Sequence, residues 1–351
     1  MGFDGTDGAL RRDLRRFLRQ EAGRGGWDPR AGSFGRFDAG FSARLGARGY
    51  IGVDWPAALG GLGGTRLDRH VVAEELLAQG APLRAHWAAE RLLGPLLLQL
   101  GTPAQQRELL PRIAAGRLSL CLGVEEAAVS PDPLAMRCRA MPVAGGWRIT
   151  GRKYPVADAG EAQRLLLLAR TREEPDPADR QGGFGLFLLD LALPGVAVRP
   201  PAGADSGLPL PAEVAIDGVF LAGDRLIGPA EAGLPALQAA AAALRGGPEG
   251  WMRDWALLAA LAAAEAPAAG RLVAEAFALH CLGQAQAARD APAAEAAWLA
   301  RLGAAQAEAV LEAAQRLPPK PGLDPGLGAA EAAAAWNPQD PLPPDRRRSL
   351  R

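Results

Sequence analysis

The chain has 351 residues, is 49% hydrophobic and carries 39 basic and 39 acidic residues, so its formal charge is zero. This length suits two or three domains with a sizeable core, and the balanced charge argues against binding to nucleic acid. The three cysteines, Cys121, Cys138 and Cys281, lack metal-ligand spacing and predict reduced thiols in a cytoplasmic compartment. The three histidines are scattered, so no metal site is predicted. No apolar run approaches the roughly 20 residues of a transmembrane helix, so we expect no membrane span.

The first third of the chain predicts helices. Apolar residues recur there at spacings of three and four, as at Leu14 and Phe17, with Gly and Pro at the breaks. Glu74 and Glu75 fall on one of these helices. Because adjacent helical residues point apart, we expect one of them to be buried in a cap or salt bridge and the other to be solvated. We predict a helical domain over residues 1–117.

From about residue 119 the pattern changes to short apolar runs between Gly- and Pro-rich turns, which predicts strands. The runs span residues 147–150, 164–170, 185–190 and 214–216. We predict a compact β-domain over residues 118–228.

Helical periodicity returns after residue 228, and its length suits a helical bundle over residues 229–317. Residues 318–351 are Pro-rich and are predicted to form a disordered tail. The order of helices, strands and helices predicts an α+β fold.

Two motifs lie between residues 121 and 160. The first reads Cys-Leu-Gly-Val-Glu-Glu-Ala-Ala-Val-Ser-Pro-Asp-Pro over 121–133, and the second reads Gly-Arg-Lys-Tyr-Pro-Val-Ala over 151–157. They resemble, without a gap, the acyl-CoA dehydrogenase pattern, in which a Ser/Thr-Glu-Pro run leads into Ala-Gly-Ser-Asp and a strand reads Gly-x-Lys-x-Trp-x-Thr/Ser. The Trp-Pro and Gly-Gly-Leu-Gly stretch of residues 55–63 also resembles this family, as does most of 5–315.

This resemblance implies an N-terminal helical domain, a middle β-barrel or sandwich domain and a shortened C-terminal helical bundle. It implies FAD as cofactor and an acyl-CoA thioester as substrate, both held between the β-domain and the bundle. The reaction removes hydrogens from Cα and Cβ of the thioester, which requires a carboxylate base and a flavin that accepts hydride. The implied flavin contacts are Val124, Glu125, Ser130, Asp132, Tyr154, Pro155 and Ala157.

Several of these positions depart from the family pattern. The family commonly has a hydroxyl at the place of Glu125, and an acidic side chain there faces an electron-rich flavin edge unless it is protonated or turned away. Ser130 lies one place early, and Pro131 at the expected place has no backbone donor. Pro155 replaces the indole that packs on flavin, and Ala157 replaces a hydroxyl. At roughly 1 kcal/mol for each lost hydrogen bond, plus up to a few for aromatic packing, flavin affinity falls by several orders of magnitude.

Two further positions keep two interpretations each. Tyr154 either replaces part of the missing indole or, by strand alternation, points to the opposite face. Arg245 is either a thioester-pocket or interface residue or a surface arginine at the C-terminus of a helix.

The sequence identifies no catalytic base. The acidic residues of the predicted bundle are Glu249, Asp254, Glu265, Glu275, Asp290, Glu295, Glu308 and Glu312, and none lies in a recognisable motif.

Three functions therefore stay open. The first is an active FAD-dependent acyl-CoA dehydrogenase with a rebuilt site, which passes electrons to an electron-transfer flavoprotein. The second, which the clustered losses favour, is a weakly catalytic or non-catalytic subunit in an oligomer with an intact acyl-CoA dehydrogenase chain, as in bacterial degradation of sterol or other bulky side chains. The third is a non-catalytic acyl-thioester-binding scaffold.

Overall fold

The structure is a computed structural model and describes residues 8–24, 27, 33–127, 133–173, 176–200 and 211–245. Within these ranges the helices are α1 (Gly8–Gly23), α2 (Ala39–Ala47), α3 (Arg66–Ala78), α4 (Arg84–Ala88), α5 (Gly94–Leu100), α6 (Pro103–Ala114) and α7 (Gly233–Arg245). The strands are β1 (Leu120–Gly123), β2 (Arg139–Val143), β3 (Gly146–Val156), β4 (Arg164–Arg170), β5 (Phe184–Asp190), β6 (Val196–Arg199), β7 (Ala212–Ala222) and β8 (Leu226–Ile227). The helices predicted beyond residue 245 and the predicted tail lie outside the described residues.

Local sequence signals explain where two of the N-terminal helices begin. Thr65 caps α3 by accepting a hydrogen bond from the backbone N–H of Asp68, whose carboxylate in turn accepts the N–H of Thr65. Thr102 and Gln105 form the same reciprocal capping box at the start of α6. Each box satisfies two backbone donors that the first turn of a helix leaves without a partner.

Buried ion pairs attach α1 to α3. The guanidinium of Arg11 donates to Glu75 at 2.6 Å and to Glu74 at 2.9 Å, and Arg15 donates to Glu75 at 2.6 Å. Glu74 is 1% exposed and Glu75 is 3% exposed. The expectation of one buried and one solvated glutamate was wrong, because α1 lies across both side chains and supplies arginines to each.

The strands form one mixed sheet with the order β6-β7-β3-β2-β4-β5-β8, and β1 pairs in parallel with β4. β3 is antiparallel to both β2 and β7. All but one residue in each of β4 and β5 is buried, which explains their nearly continuous apolar sequences. The four predicted strand runs are confirmed within β3, β4, β5 and β7.

Side-chain contacts fix the helices against the sheet. α4 packs on β1. The amide of Gln105 on α6 donates to the carbonyls of Asp224 at 2.7 Å and Leu226 at 2.8 Å, at the end of the sheet region. Arg225 continues this contact by pairing with Glu108 of α6 at 3.0 Å. The helices therefore contact the sheet region at β1 and beside β8.

The described ranges contain neither a membrane-spanning helix nor a group of metal-binding side chains. None of their helices combines the length and the apolar character that crossing a bilayer requires. Their His, Cys, Asp and Glu residues form no group of three or more that could hold a metal ion.

Candidate functional site

The two sequence motifs meet where β1 ends beside the last residues of β3. The backbone N–H of Tyr154 donates to the carbonyl of Glu125 at 2.9 Å. The ammonium of Lys153 donates to the carbonyl of Val124, also at 2.9 Å. The structure thus brings Val124, Glu125 and Tyr154 together, three of the residues predicted to contact flavin.

The other predicted contacts differ in what the structure describes. Pro155 is exposed, and Ala157 is half-buried in the turn that follows β3. Ser130 and Asp132 lie outside the described residues. Arg245 is the last residue of α7.

A buried ion pair lies beneath this meeting point. The side chain of Lys153 is 0% exposed, and its ammonium lies 3.0 Å from a carboxylate oxygen of Glu126. The same carboxylate accepts the backbone N–H groups of Arg137 at 2.8 Å and Cys138 at 2.9 Å. No role was predicted for Lys153 or Glu126 from the sequence, although both keep the residue type that the family motifs have at those places.

Arg170 of β4 supports the chain just before β2. Its guanidinium donates to the carbonyl of Met136 at 2.9 Å and to that of Leu134 at 2.6 Å. The guanidinium also lies over the ring of Phe184, 5.3 Å from its centroid. These contacts satisfy a buried cation with main-chain acceptors and an aromatic face.

An ion pair joins α4 to the turn after β3. Arg84 pairs with Asp158, which lies next to Ala157, and its guanidinium is also 3.8 Å from Glu161. Asp158 has a φ of 62°, a left-handed conformation that is uncommon for residues other than glycine but tolerated by aspartate. This pair fixes the turn relative to the helices.

The carboxyl of Glu125 is held in an unfavourable environment. Burial raises the pKa of Glu125 above its ordinary value of 4.5, because desolvation disfavours the charged form. Burial also raises the pKa of the Cys138 thiol to about 11, an effect that nearby Lys153 opposes and Glu126 reinforces. Cys138 is therefore a buried, protonated thiol at neutral pH.

The known proteins that this chain is similar to are acyl-CoA dehydrogenases. The profile described as acyl-CoA dehydrogenase, N-terminal domain, matches residues 6–117. The acyl-CoA dehydrogenase IpdE1 of Mycobacterium tuberculosis is 34% identical over 160 residues, which cover 46% of this chain and 41% of that protein. Residues 6–117 are therefore similar to the N-terminal domain of acyl-CoA dehydrogenases. The aligned region spans less than half of this relative.

Solved structures of the family show that the fold extends beyond the N-terminal domain. A Tcur3481-Tcur3483 steroid ACAD matches with a TM-score of 0.73 at 20% identity, covering 93% of this chain and 90% of that one. The ChsE4-ChsE5 complex from Mycobacterium tuberculosis matches with a TM-score of 0.74 at 19% identity, covering 95% of this chain and 92% of that one. At these identities the likeness shows the fold.

FAD is the cofactor of acyl-CoA dehydrogenases, and the described residues do not fit it in the way that the family motif requires. The ring of Pro155 is exposed and offers neither an indole nor a hydrogen-bond donor. Ala157 offers only a methyl group, and an ionised Glu125 can only accept hydrogen bonds. These side chains by themselves do not account for flavin binding.

The described residues also reveal no catalytic base. The acidic residues considered from the sequence as possible bases, from Glu249 to Glu312, lie outside the described residues. Among those described at the site, Glu126 is engaged by Lys153 and by two backbone amides.

Proposed function

We propose that this chain is a supporting subunit of a heteromeric, FAD-dependent acyl-CoA dehydrogenase that acts on acyl-CoA thioesters in the cytoplasm. In this proposal the chain keeps the fold of the family, while an intact family member in the same oligomer supplies the flavin chemistry and the base. Electrons then pass to an electron-transfer flavoprotein. The predicted domains, 1–117, 118–228 and 229–317, belong to this proposal, as do the predicted ligand contacts.

The observation that carries the proposal lies at the end of β3, where the contacts that join the two motifs are present and side chains expected to bind flavin are missing. Lys153, Glu126 and the Tyr154 amide hold the two motifs together. Next to these contacts, the exposed Pro155 lacks the stacking surface and the half-buried Ala157 lacks the hydroxyl. A fold kept without its ligand contacts is what a subunit needs when its partner performs the chemistry.

Two of the solved structures support the heteromeric part of the proposal. The Tcur3481-Tcur3483 steroid ACAD and the ChsE4-ChsE5 complex are each named for two different chains. The first also names a steroid enzyme, which supports a bulky acyl group as the substrate class.

One observation favours a second candidate, an active dehydrogenase with a rebuilt site. Because burial raises the pKa of Glu125, a protonated carboxyl at this place can donate the hydrogen bond that the family obtains from a hydroxyl. Tyr154 lies beside it and is half-buried, so its ring can supply part of the missing aromatic surface.

The absorbance spectrum of the purified chain tests these alternatives. The chain is purified alone and after co-expression with any intact acyl-CoA dehydrogenase that is encoded beside it. The proposal predicts a colourless lone chain that co-purifies with a yellow partner. Stoichiometric flavin bands in the lone chain would instead support the active enzyme. A colourless chain that captures no family member would overturn the proposal and leave an acyl-thioester-binding scaffold.

A further inference from the structure

Lys153 occupies a place that its charge makes costly. Its side chain is 0% exposed, and a buried ammonium is tolerated only when paired and hydrogen-bonded. Its two described acceptors are the carbonyl of Val124 at 2.9 Å and the carboxylate of Glu126 at 3.0 Å. These acceptors belong to the residues directly before and after Glu125, so Lys153 contacts both sequence neighbours of that residue.

The carboxylate of Glu126 extends the contact to a third part of the chain. It accepts the N–H groups of Arg137 and Cys138, which directly precede β2. We call the group formed by Lys153, Val124, Glu126, Arg137 and Cys138 the Lys153 junction. It ties β3 to the residues that follow β1 and to those that precede β2.

The backbone around the junction leaves little room for adjustment. A Cβ atom on Gly151, two residues before Lys153, would lie 2.6 Å from both Cα and Cβ of Cys138, so β3 passes too close to Cys138 for a side chain at position 151. The carbonyl of Glu125 also accepts the N–H of Tyr154. Glu125 is therefore held through its own carbonyl and through both neighbouring residues.

We propose that Lys153 is a positioning residue, which fixes the main chain at Val124 and Glu125 through the Lys153 junction and does so without any bound flavin. The inference rests on the proposed function only in assigning Glu125 to the ligand site. The positioning itself follows from contacts within the chain. It explains why the ion pair is kept where the side chains that would contact flavin are lost.

Cys138 provides a local probe of the junction and Cys121 provides an internal reference, since both thiols are buried. Lys153→Met removes the ammonium and keeps a long apolar side chain. We expect it to raise the rate of native-state alkylation at Cys138 at least tenfold relative to Cys121, followed by peptide mass spectrometry. The amides of Arg137 and Cys138 should also lose protection from hydrogen exchange.

Arg11→Met is the matched control, because it removes the cation of a buried ion-pair network that does not include the residues of the Lys153 junction. It should accelerate alkylation of both thiols together, through global unfolding, and leave the ratio of the Cys138 rate to the Cys121 rate unchanged. Equal ratios in the wild type and Lys153→Met would overturn the proposal.

A second pair of variants keeps the proposal testable if Lys153→Met does not fold. Glu126→Gln retains one oxygen, which can accept from the Cys138 N–H and from Lys153 as Oε1 does in the wild type, whereas Glu126→Ala retains none. We expect Glu126→Ala to raise the Cys138 ratio and Glu126→Gln to preserve most of the protection. Equal ratios for these two variants would contradict the junction. A flavin spectrum that rejects the supporting-subunit function leaves these alkylation results unaffected, so the two proposals fail separately.

Discussion

Two pairs of adjacent glutamates are placed very differently in this molecule. Glu74 and Glu75 on α3 are both buried, and Arg11 pairs with each of them. Glu125 and Glu126 follow β1, and there Lys153 pairs with Glu126. Glu125 is half-buried, and burial raises its pKa with no opposing contribution from a cation of the described residues.

The first pair of glutamates has a structural role, whereas the second pair lies at the candidate site. On α3 every buried carboxylate is matched, which is the condition for keeping charge inside a protein. After β1 one glutamate fastens the main chain and its neighbour is held in an unfavourable environment. Local features that oppose stability occur preferentially at functional positions, so the raised pKa of Glu125 supports its proposed place at the ligand site.

The α1 and α3 network should produce the largest loss of stability. Arg11→Met leaves two buried carboxylates with reduced compensation, and breaking such a pair typically lowers the free energy of unfolding by about 3–5 kcal/mol. Urea unfolding of wild type and variant measures the difference. The exposed Arg19 of the same helix provides the control, since Arg19→Met should change stability by about 0.5 kcal/mol or less. Equal losses of unfolding free energy in Arg11→Met and Arg19→Met would show that the buried ion pairs of Arg11 contribute no more to stability than an exposed arginine does.

A buried histidine near the site end of the helical region gives the next largest effect, and its sign can be derived. Burial lowers the pKa of His86 to about 3 from 6.5, and the charge of Arg91 adds to this. The folded-state pKa lies below the unfolded one, so His86 contributes stability above pH 6.5 that is lost as the pH falls toward 3. The loss approaches about 1.4 kcal/mol per pH unit, or roughly 2 kcal/mol by pH 5.

His86→Gln removes this titration. Urea unfolding at pH 7.5, 6 and 5 should show the free energy of unfolding of the wild type falling faster than that of the variant. The Ser42 hydroxyl contacts the Nδ1 atom of His86 at 2.7 Å, so Ser42→Ala serves as the control that disturbs the contact and keeps the titrating ring. Parallel curves for wild type and His86→Gln would show that His86 does not control the acid response.

The sequence predicted elements better than it predicted partners. The apolar run of β4 and the spacing of Leu14 and Phe17 indicated a strand and a helix, because local burial imposes a period on the sequence. Arg11 and Glu74 are 63 positions apart, and Lys153 and Glu126 are 27 apart. Periodicity carries no information about which distant charges meet. For this reason the expectation that one of Glu74 and Glu75 would be solvated was wrong.

At the candidate site, too, the sequence predicted the segments better than it predicted their contacts. The motif comparison identified the two segments that meet, at Glu125 and Tyr154, because family motifs record main-chain geometry as well as chemistry. It gave no role to Arg84 or Arg170, whose contacts depend on how α4 and β4 pack in three dimensions. The contacts predicted for Ser130 and Asp132 stay predictions.

A hydroxyl in place of Glu125 tests whether this residue opposes flavin binding. Glu125→Thr supplies the donor that the family commonly has at this position, and one hydrogen bond contributes about 1 kcal/mol, or roughly a fivefold gain in affinity. Quenching of FAD fluorescence on titration with the chain measures the dissociation constant. Glu75→Thr is the control from the other glutamate pair and should leave flavin affinity unchanged in the fraction that folds. Equal affinity of wild type and Glu125→Thr would mean that Glu125 is not at the flavin edge.

The smallest expected effect concerns the stability contribution of Glu125 itself. Its folded-state pKa is raised above 4.5, so the folded chain binds the proton more tightly than the unfolded chain does, and stability is lost as the pH rises through the folded-state pKa. Glu125→Gln cannot ionise and should be more stable than the wild type at pH 7. Because the side chain is partly exposed, solvent screening keeps this gain below about 1 kcal/mol. Thermal unfolding at pH 7 and pH 4 measures it, and the difference should shrink at pH 4, because less of the glutamate is ionised there. The sign is opposite to that of His86, which loses stability in acid, so one pH series on the two variants separates the helical region from the site. A gain that persists unchanged at pH 4 would show that the glutamine improves packing, and would remove the case that Glu125 is held as a desolvated acid.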